Sequence, residues 1–312
     1  MSVTAVGPAP PLPLGQRVEL PGRGTTFVRT VAGPAGAPTV VLLHGWIASG
    51  GLNWFTAFEP LSHRYSVVAP DLRGHGRGLR TNRRFRLADC ADDVACLLEQ
   101  LDTGPVIAVG YSMGGPVAQL LWRRHPELVA GLVFCATSYR FVAGARERLI
   151  FSTLMASAAG TTRTGAMVGR LPAVRARVPR GAGALAAAAP GSAARPANLR
   201  SWAAAEMRRH DAVKLMEAGQ AIGSYSARRW IGEVDVPTTV LLTDRDRAVR
   251  PSEQLRLAEA IRGAEVHHVD DGHVACAKRE FGPALVRAVR SVADRVATPA
   301  APAAPAVAAT SI

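Results

Sequence analysis

Short runs of β-branched and aliphatic residues, each closed by turn formers, recur along the chain. They are TFVRTV at 26–31, TVVLLH at 39–44, YSVVAP at 65–70, PVIAVG at 105–110, LVFCAT at 132–137, TTVLLT at 238–243 and AEVHHV at 264–269. Several are apolar at odd and even positions alike, the pattern of a parallel strand covered by helices on both faces of its sheet. Between them, LADCADDVACLLEQL at 87–101, PVAQLLWRR at 116–124 and PSEQLRLAEAI at 251–261 read as helices. Strand and helix in alternation predict an α/β fold built on a doubly wound, mostly parallel sheet.

The alternation lapses between residues 139 and 230, where Ala, Arg, Gly and Met dominate and strand signals vanish. A helical cap inserted into the core is expected there, with a mobile loop in the low-complexity stretch 178–198. The core is then 18–138 and 231–296, flanked by segments expected to be disordered, 1–17 and the Ala/Pro-rich 297–312. No repeat of solenoid or propeller period is present.

Composition narrows the class. With 312 residues, 48% hydrophobic and 20% charged, the chain has ample material for a core and the balance of a water-soluble protein. No apolar run approaches the about 18 residues of a membrane span, and the N-terminus lacks the pattern of a secretory signal. A cytoplasmic location with no integral membrane association is the resulting expectation. The four cysteines form no metal-ligand or redox spacing and read as free thiols. The net charge of +13 raises nucleic acid as a partner. Lysine occurs only at Lys214 and Lys278, however, while arginine is scattered, so no nucleic-acid partner is expected. RGHGRGLRTNRRFR at 73–86 and the arginines of 163–180 read as solvated faces able to attract anions.

The strongest chemical signal is Gly110-Tyr111-Ser112-Met113-Gly114 with Gly115 after it, between strand 105–109 and a helix. At a sharp strand-to-helix turn the serine backbone is strained and its side chain stands clear of the sheet, so the flanking positions must be glycine. Ser112 is the candidate nucleophile. The amide of Met113 then lies at a helix N-terminus, where unpaired N–H groups favour a developing oxyanion.

The chain resembles the α/β-hydrolases through LLHGW at 42–46, PDLRGHG at 70–76, GYSMGG at 110–115, LLTDRDRAV at 241–249 and DGH at 271–273, in that family's order. The likeness covers roughly 18–137 and 230–296, the core without its cap. It implies the α/β-hydrolase fold and a catalytic order of serine, acid, histidine. His273 alone of the eight histidines follows the last predicted strand, which makes it the general base. His267 and His268 lie within that strand. The family places its acid three residues beyond the end of the preceding strand, which favours Asp246, though Thr243 stands where glycine is common. Asp244 reads as a turn cap or a partner of Arg245 or Arg247, and Asp270 and Asp271 sit too close to His273 to orient its ring. The resemblance also implies that the Trp46 amide is the second oxyanion donor. His44 and His75 read as loop architecture, and His125 as a helix end before Pro126.

These parts imply a serine hydrolase acting on a small-molecule carboxylic ester or related acyl compound through an acyl-enzyme, with no metal or organic cofactor required. Lactonase, thioesterase, carbon–carbon bond hydrolase, acyltransferase and cofactor-free perhydrolase share the same parts. A hydrolase-like ligand-binding receptor is the alternative of another class. Trp46, Trp54, Phe55 and Phe58 suggest an apolar wall for the substrate or, equally, the buried face of a helix.

Overall fold

The computed structural model describes residues 9–141, 153, 157 and 198–297. Most of the expected cap, the stretch 178–197, the arginines of 163–180 and the tail from 298 lie outside the described residues. The strands are β1 (Gly15–Leu20), β2 (Gly24–Val31), β3 (Thr39–Leu43), β4 (Ser66–Asp71), β5 (Val106–Tyr111), β6 (Val129–Cys135), β7 (Thr238–Thr243) and β8 (Glu265–Val269). They form one sheet in the order β1-β2-β4-β3-β5-β6-β7-β8, antiparallel at β1/β2 and β2/β4 and parallel from β4 onward. The chain is therefore a doubly wound α/β fold of the expected class.

Alternation along the central strands divides the core in two. Val41 and Leu43 of β3, with Val106 and Ala108 of β5, face one side; there they pack with α3 (Leu87–Gln100), α4 (Gly114–Arg124) and α7 (Pro251–Ala260). Val40 and Leu42, with Ile107 and Val109, face the other side. Their neighbours are α1 (Gly50–Trp54), α2 (Phe58–Ser62) and α8 (Phe281–Ala297). Phe281, Leu285, Ala288, Val289 and Val292 of α8 form one stripe at helical spacing, and all are fully buried. Each of the larger ones contributes about 1.5–3 kcal/mol. Trp54 and Phe58 belong to this same core, so of the two readings of the aromatic cluster the helix face holds for them.

β1 departs from expectation, because it begins inside the segment 1–17 that was expected to be disordered. It is an edge strand whose only buried residue is Leu20, so it carries no apolar run to announce it. Between β6 and β7 lie α5 (Leu199–Met207) and α6 (Ala212–Ser224), and an antiparallel bridge joins Arg140 to Ser226 at the neck of the insertion. Among the described residues no helix is long and apolar enough to cross a membrane.

In the basic stretch 73–86, Arg80, Arg83, Arg84 and Arg86 are exposed as expected of a solvated face, but Arg73 and Arg77 are not. Arg73 is 6% exposed and holds Asp93 through Nε and Nη2 at 2.6 and 2.7 Å. Arg77 grips both oxygens of the buried Glu206 on α5 at 2.8 and 2.9 Å. The Gly74 carbonyl accepts from the Asp211 amide, the Gly76 amide donates to His210 Nδ1, and the Phe85 amide donates to Glu217. This loop is the seat on which α5 and α6 rest.

Candidate active site

The sheet changes direction of winding at β3: from it the chain crosses to β4 on one side and then to β5 on the other. A crevice forms where such a reversal leaves the carboxyl ends of neighbouring strands uncovered. Ser112 stands at that end of β5, in the turn into α4, with φ of 50°. A non-glycine residue in this left-handed region costs about 1–3 kcal/mol, which the surroundings must offset. They do so with three bonds to the Ser112 backbone: its amide donates to the Cys135 carbonyl at 3.0 Å, and its carbonyl accepts from the Thr137 hydroxyl at 2.7 Å and the Gly115 amide at 2.9 Å. The glycines are there for space. A Cβ on Gly110 would lie 2.4 Å from the Gly114 carbonyl oxygen, and one on Gly114 would lie 2.0 Å from that of Leu43.

His273 arrives on the loop after β8, and Asp246 on the loop after β7. His273 Nε2 is 3.0 Å from Ser112 Oγ, and its Nδ1 is 2.8 Å from Asp246 Oδ2. A carboxylate only accepts, so Nδ1 carries the proton and Nε2 is left as the acceptor facing the Ser112 hydroxyl. The Tyr111 hydroxyl donates to the His273 carbonyl at 2.9 Å and ties this loop to the turn that carries Ser112. The Asp246 side chain is fully buried. Its Oδ1 accepts from the Ala248 and Val249 amides at 2.8 and 2.9 Å, and its Oδ2 also accepts from Thr243 Oγ1 at 3.0 Å. Burial works to raise the carboxyl pKa, but the hydrogen bonds from His273 and the two amides outweigh it and hold Asp246 below the ordinary range.

The structure thus gathers Ser112, His273 and Asp246 into one line, and it leaves the other carboxylates aside. Asp244 pairs with His268 Nδ1 at 2.8 Å, Asp270 pairs with Arg245, and Asp271 caps its own turn through the Gly272 amide. Thr243 donates its hydroxyl to Asp246, so the side chain that departed from the expected glycine adds a bond to the acid.

Met113 is the N-cap of α4 and is fully buried. The turn after β3 approaches from the other side: a Cβ on Gly45 would lie 3.3 Å from Ser112 Cβ. That places the Gly45–Trp46 backbone against the serine. Asn53 Oδ1 accepts from the Gly45 amide at 2.9 Å and pins the turn. The Trp46 indole donates to the Leu215 carbonyl of α6 at 2.8 Å, so the same turn is tied to the insertion. His44 lies beneath. Its Nε2 accepts from the Leu72 amide at 2.9 Å, so Nδ1 is the donor to the Gly45 carbonyl at 2.8 Å. His75 donates Nδ1 to the Arg73 carbonyl at 3.0 Å, and His125 caps the end of α4 while meeting Asp92. Phe55 meets Trp202 of α5 edge-on at 5.7 Å. Among the described residues no three His, Cys, Asp or Glu side chains gather as a metal ion requires.

Tyr111, Thr137, Asn53 and Gln254, whose Nε2 reaches Thr243 Oγ1 at 2.8 Å, support the site without having been expected from sequence. Only Tyr111 lies within a recognisable motif.

Residues 38–279 match the family model described as alpha/beta hydrolase fold. The chain is 36% identical over 149 residues to the magnesium-chelatase 30 kDa subunit of Rhodobacter capsulatus, covering 47% of this chain and 50% of that protein. It is 43% identical over 105 residues to the pimeloyl-(acyl-carrier protein) methyl ester esterase of Chromobacterium violaceum, covering 34% and 39%. The chain spans half or less of the length of the curated relatives named here. Among solved structures, an esterase from Exiguobacterium antarcticum shares the fold with a TM-score of 0.69 at 19% identity, over 89% of this chain and all of that one.

Proposed function

The chain belongs to the α/β-hydrolase fold family, and from that membership we propose that it is a serine hydrolase cleaving a carboxylic ester or related acyl compound through an acyl-enzyme. The observation that carries this reading is the unbroken line from Ser112 Oγ through His273 to Asp246 at 3.0 and 2.8 Å. The esterase name of the C. violaceum relative, alike over part of the chain, supports the ester among acyl substrates.

Ser112 Oγ attacks the substrate carbonyl carbon while its proton passes to His273 Nε2. The imidazolium so formed is held by the Asp246 carboxylate, which stays ionised at neutral pH because its pKa is low. Negative charge moves to the carbonyl oxygen, where the amides of Met113 and Trp46 receive it; each such donor is worth about 3–4 kcal/mol in the transition state. Collapse of the adduct breaks the bond to the alkoxy group, which leaves with the proton from Nε2. Water then gives a proton to His273 and attacks the acyl-serine, and the acid product departs as Ser112 regains its hydrogen.

Incubation with a fluorophosphonate probe, beside a panel of p-nitrophenyl esters, tests the proposal. Wild type should be labelled at one serine and turn over at least one ester, and Ser112→Ala should lose both. A wild-type chain that is folded yet neither labelled nor active would falsify it.

A further inference from the structure

Phe27, on β2, has two cations on its ring, the Arg29 and Arg77 guanidinium carbons at 4.9 and 5.0 Å from the centroid. Arg29 is 6% exposed, and its Nε and Nη1 are buried with no hydrogen-bond partner. Burial pushes its pKa down, and although Asp71 and Glu206 pull it up, Arg77 and Arg209 oppose them. Neither carboxylate is at leisure. Asp71 already accepts from the Gly50 and Arg77 amides, both at 2.8 Å, and Glu206 holds Arg77 on both oxygens and Arg209 Nε at 3.2 Å. The cluster is short of negative charge.

A cleft of about 510 Å³ opens beside it, lined by Arg77 and Arg209 together with Arg17 and Arg80, and by no acidic residue. Arg80 spends its Nη2 on two backbone carbonyls, those of Gly76 and Arg209, and burial holds its pKa down. Arg17, exposed on β1 directly across from Phe27, pairs with no carboxylate among the described residues. Four guanidinium groups from β1, the loop after β4 and the end of α5 thus converge on one space; Glu206 pairs with two of them, Asp71 and Asp211 pull on Arg80, and none of the three carboxylates lines the cleft.

We propose that this cleft binds a phosphomonoester group, carried by a soluble molecule or by a lipid headgroup. A phosphomonoester brings close to two negative charges and three acceptor oxygens, which suits converging arginines; a carboxylate brings one charge and two oxygens. The volume leaves room for the body of a ligand beyond its phosphate. The site is distinct from Ser112. Two strands, β4 and β3, separate β2 from β5, a spacing of roughly 14 Å across the sheet. A bound ligand would bridge the β1 edge to α5, and so clamp the insertion onto the core. The inference does not depend on the acyl-enzyme reading.

Phenyl phosphate, titrated calorimetrically into the full chain with KCl held at matched ionic strength, is the direct test. Binding should be saturable, and at about ten times Kd it should shift the folded-to-unfolded ratio about tenfold, raising Tm. Benzoate should bind at least about tenfold more weakly. Arg17→Glu, on an exposed side chain, should lower phosphate affinity at least about tenfold while ester turnover is unchanged. Wild type that responds no more than to KCl, benzoate that binds as well, or Arg17→Glu that binds as wild type overturns the proposal. Vesicles of phosphatidic acid in phosphatidylcholine carry the same group on a surface. If they displace phenyl phosphate the ligand is a headgroup, and if they leave it bound the ligand is soluble; both uphold the site.

Discussion

Asp246→Asn probes the proposed relay at its most constrained atom. Asp246 Oδ1 accepts from the Ala248 and Val249 amides at 2.8 and 2.9 Å. An Asn NH2 cannot accept, so the amide oxygen of the variant must stay on those two donors. Its nitrogen is thereby turned toward His273 Nδ1, where it can only donate. The imidazole must then carry its proton on Nε2, the nitrogen 3.0 Å from Ser112 Oγ, and the base is lost with hardly an atom moved.

A wrong tautomer at this position costs about 10⁴ in rate, or about 5.5 kcal/mol of transition-state stabilisation. The assay is kcat/KM on the best p-nitrophenyl ester, with Tm measured alongside to show that the variant is folded. Asp244→Asn is the control: among the described residues the Asp244 side chain meets only the exposed His268, and its loss should change kcat/KM by no more than about twofold. A folded Asp246→Asn that keeps activity within about tenfold of wild type refutes the relay. An Asp244→Asn that is the inactive one refutes the choice of acid.

Burial pushes the His44 imidazole down to about 3, so below the unfolded value of about 6.5 the unfolded chain binds a proton that the folded chain refuses. This group therefore removes stability as pH falls through that window, by up to about 1.4 kcal/mol per pH unit. Urea midpoints between pH 7 and 5 should fall less steeply in His44→Gln, and an unchanged slope counts against the assignment. Gly114→Ala puts a carbon 2.0 Å from the Leu43 carbonyl oxygen and should cost about 3 kcal/mol or more in chemical denaturation. A loss below about 1 kcal/mol would mean that the turn yields. Tyr111→Phe frees the His273 carbonyl and should lower kcat several-fold, about 1 kcal/mol, with KM little changed; a change confined to KM would place Tyr111 at the substrate instead.

What the sequence discloses and what it hides follow from the range of each interaction. The turn at Ser112 is legible because its constraint is local: strand, glycines and helix lie within a dozen residues, and the glycines are required by contacts with Gly114 and Leu43. The central strands are legible because each is buried on both faces. β1 is not, since Gln16, Arg17 and Glu19 are exposed at an edge and the strand is held by backbone pairing with β2. No element was expected over Phe281–Ala297, although its apolar stripe has helical spacing. Gly282 and Pro283 are helix breakers everywhere except in a first turn, which is where they lie.

Arg73 and Arg77 show the opposite case, in which local reading gives the wrong answer. Read locally they belong to a run of like charge, for which solvent is the natural place, and the other arginines of that run are indeed exposed. Their partners stand far off in the chain: Asp93 for Arg73 at a separation of 20 residues, and Glu206 for Arg77 at 129. A buried ion pair stabilises little against an apolar alternative, yet breaking it strands a charge, so such pairs fix where two elements must meet. Here the Arg73 pair fixes α3 and the Arg77 pair fixes α5 against the loop after β4, the Phe85 amide bonded to Glu217 fixes α6 there, and the Trp46 indole bonded to Leu215 fixes α6 against the turn beside Ser112. The insertion and the turn proposed to hold the oxyanion are therefore positioned by one network. A substitution at Glu206 should reach the chemistry through Trp46 although it touches neither Ser112 nor His273.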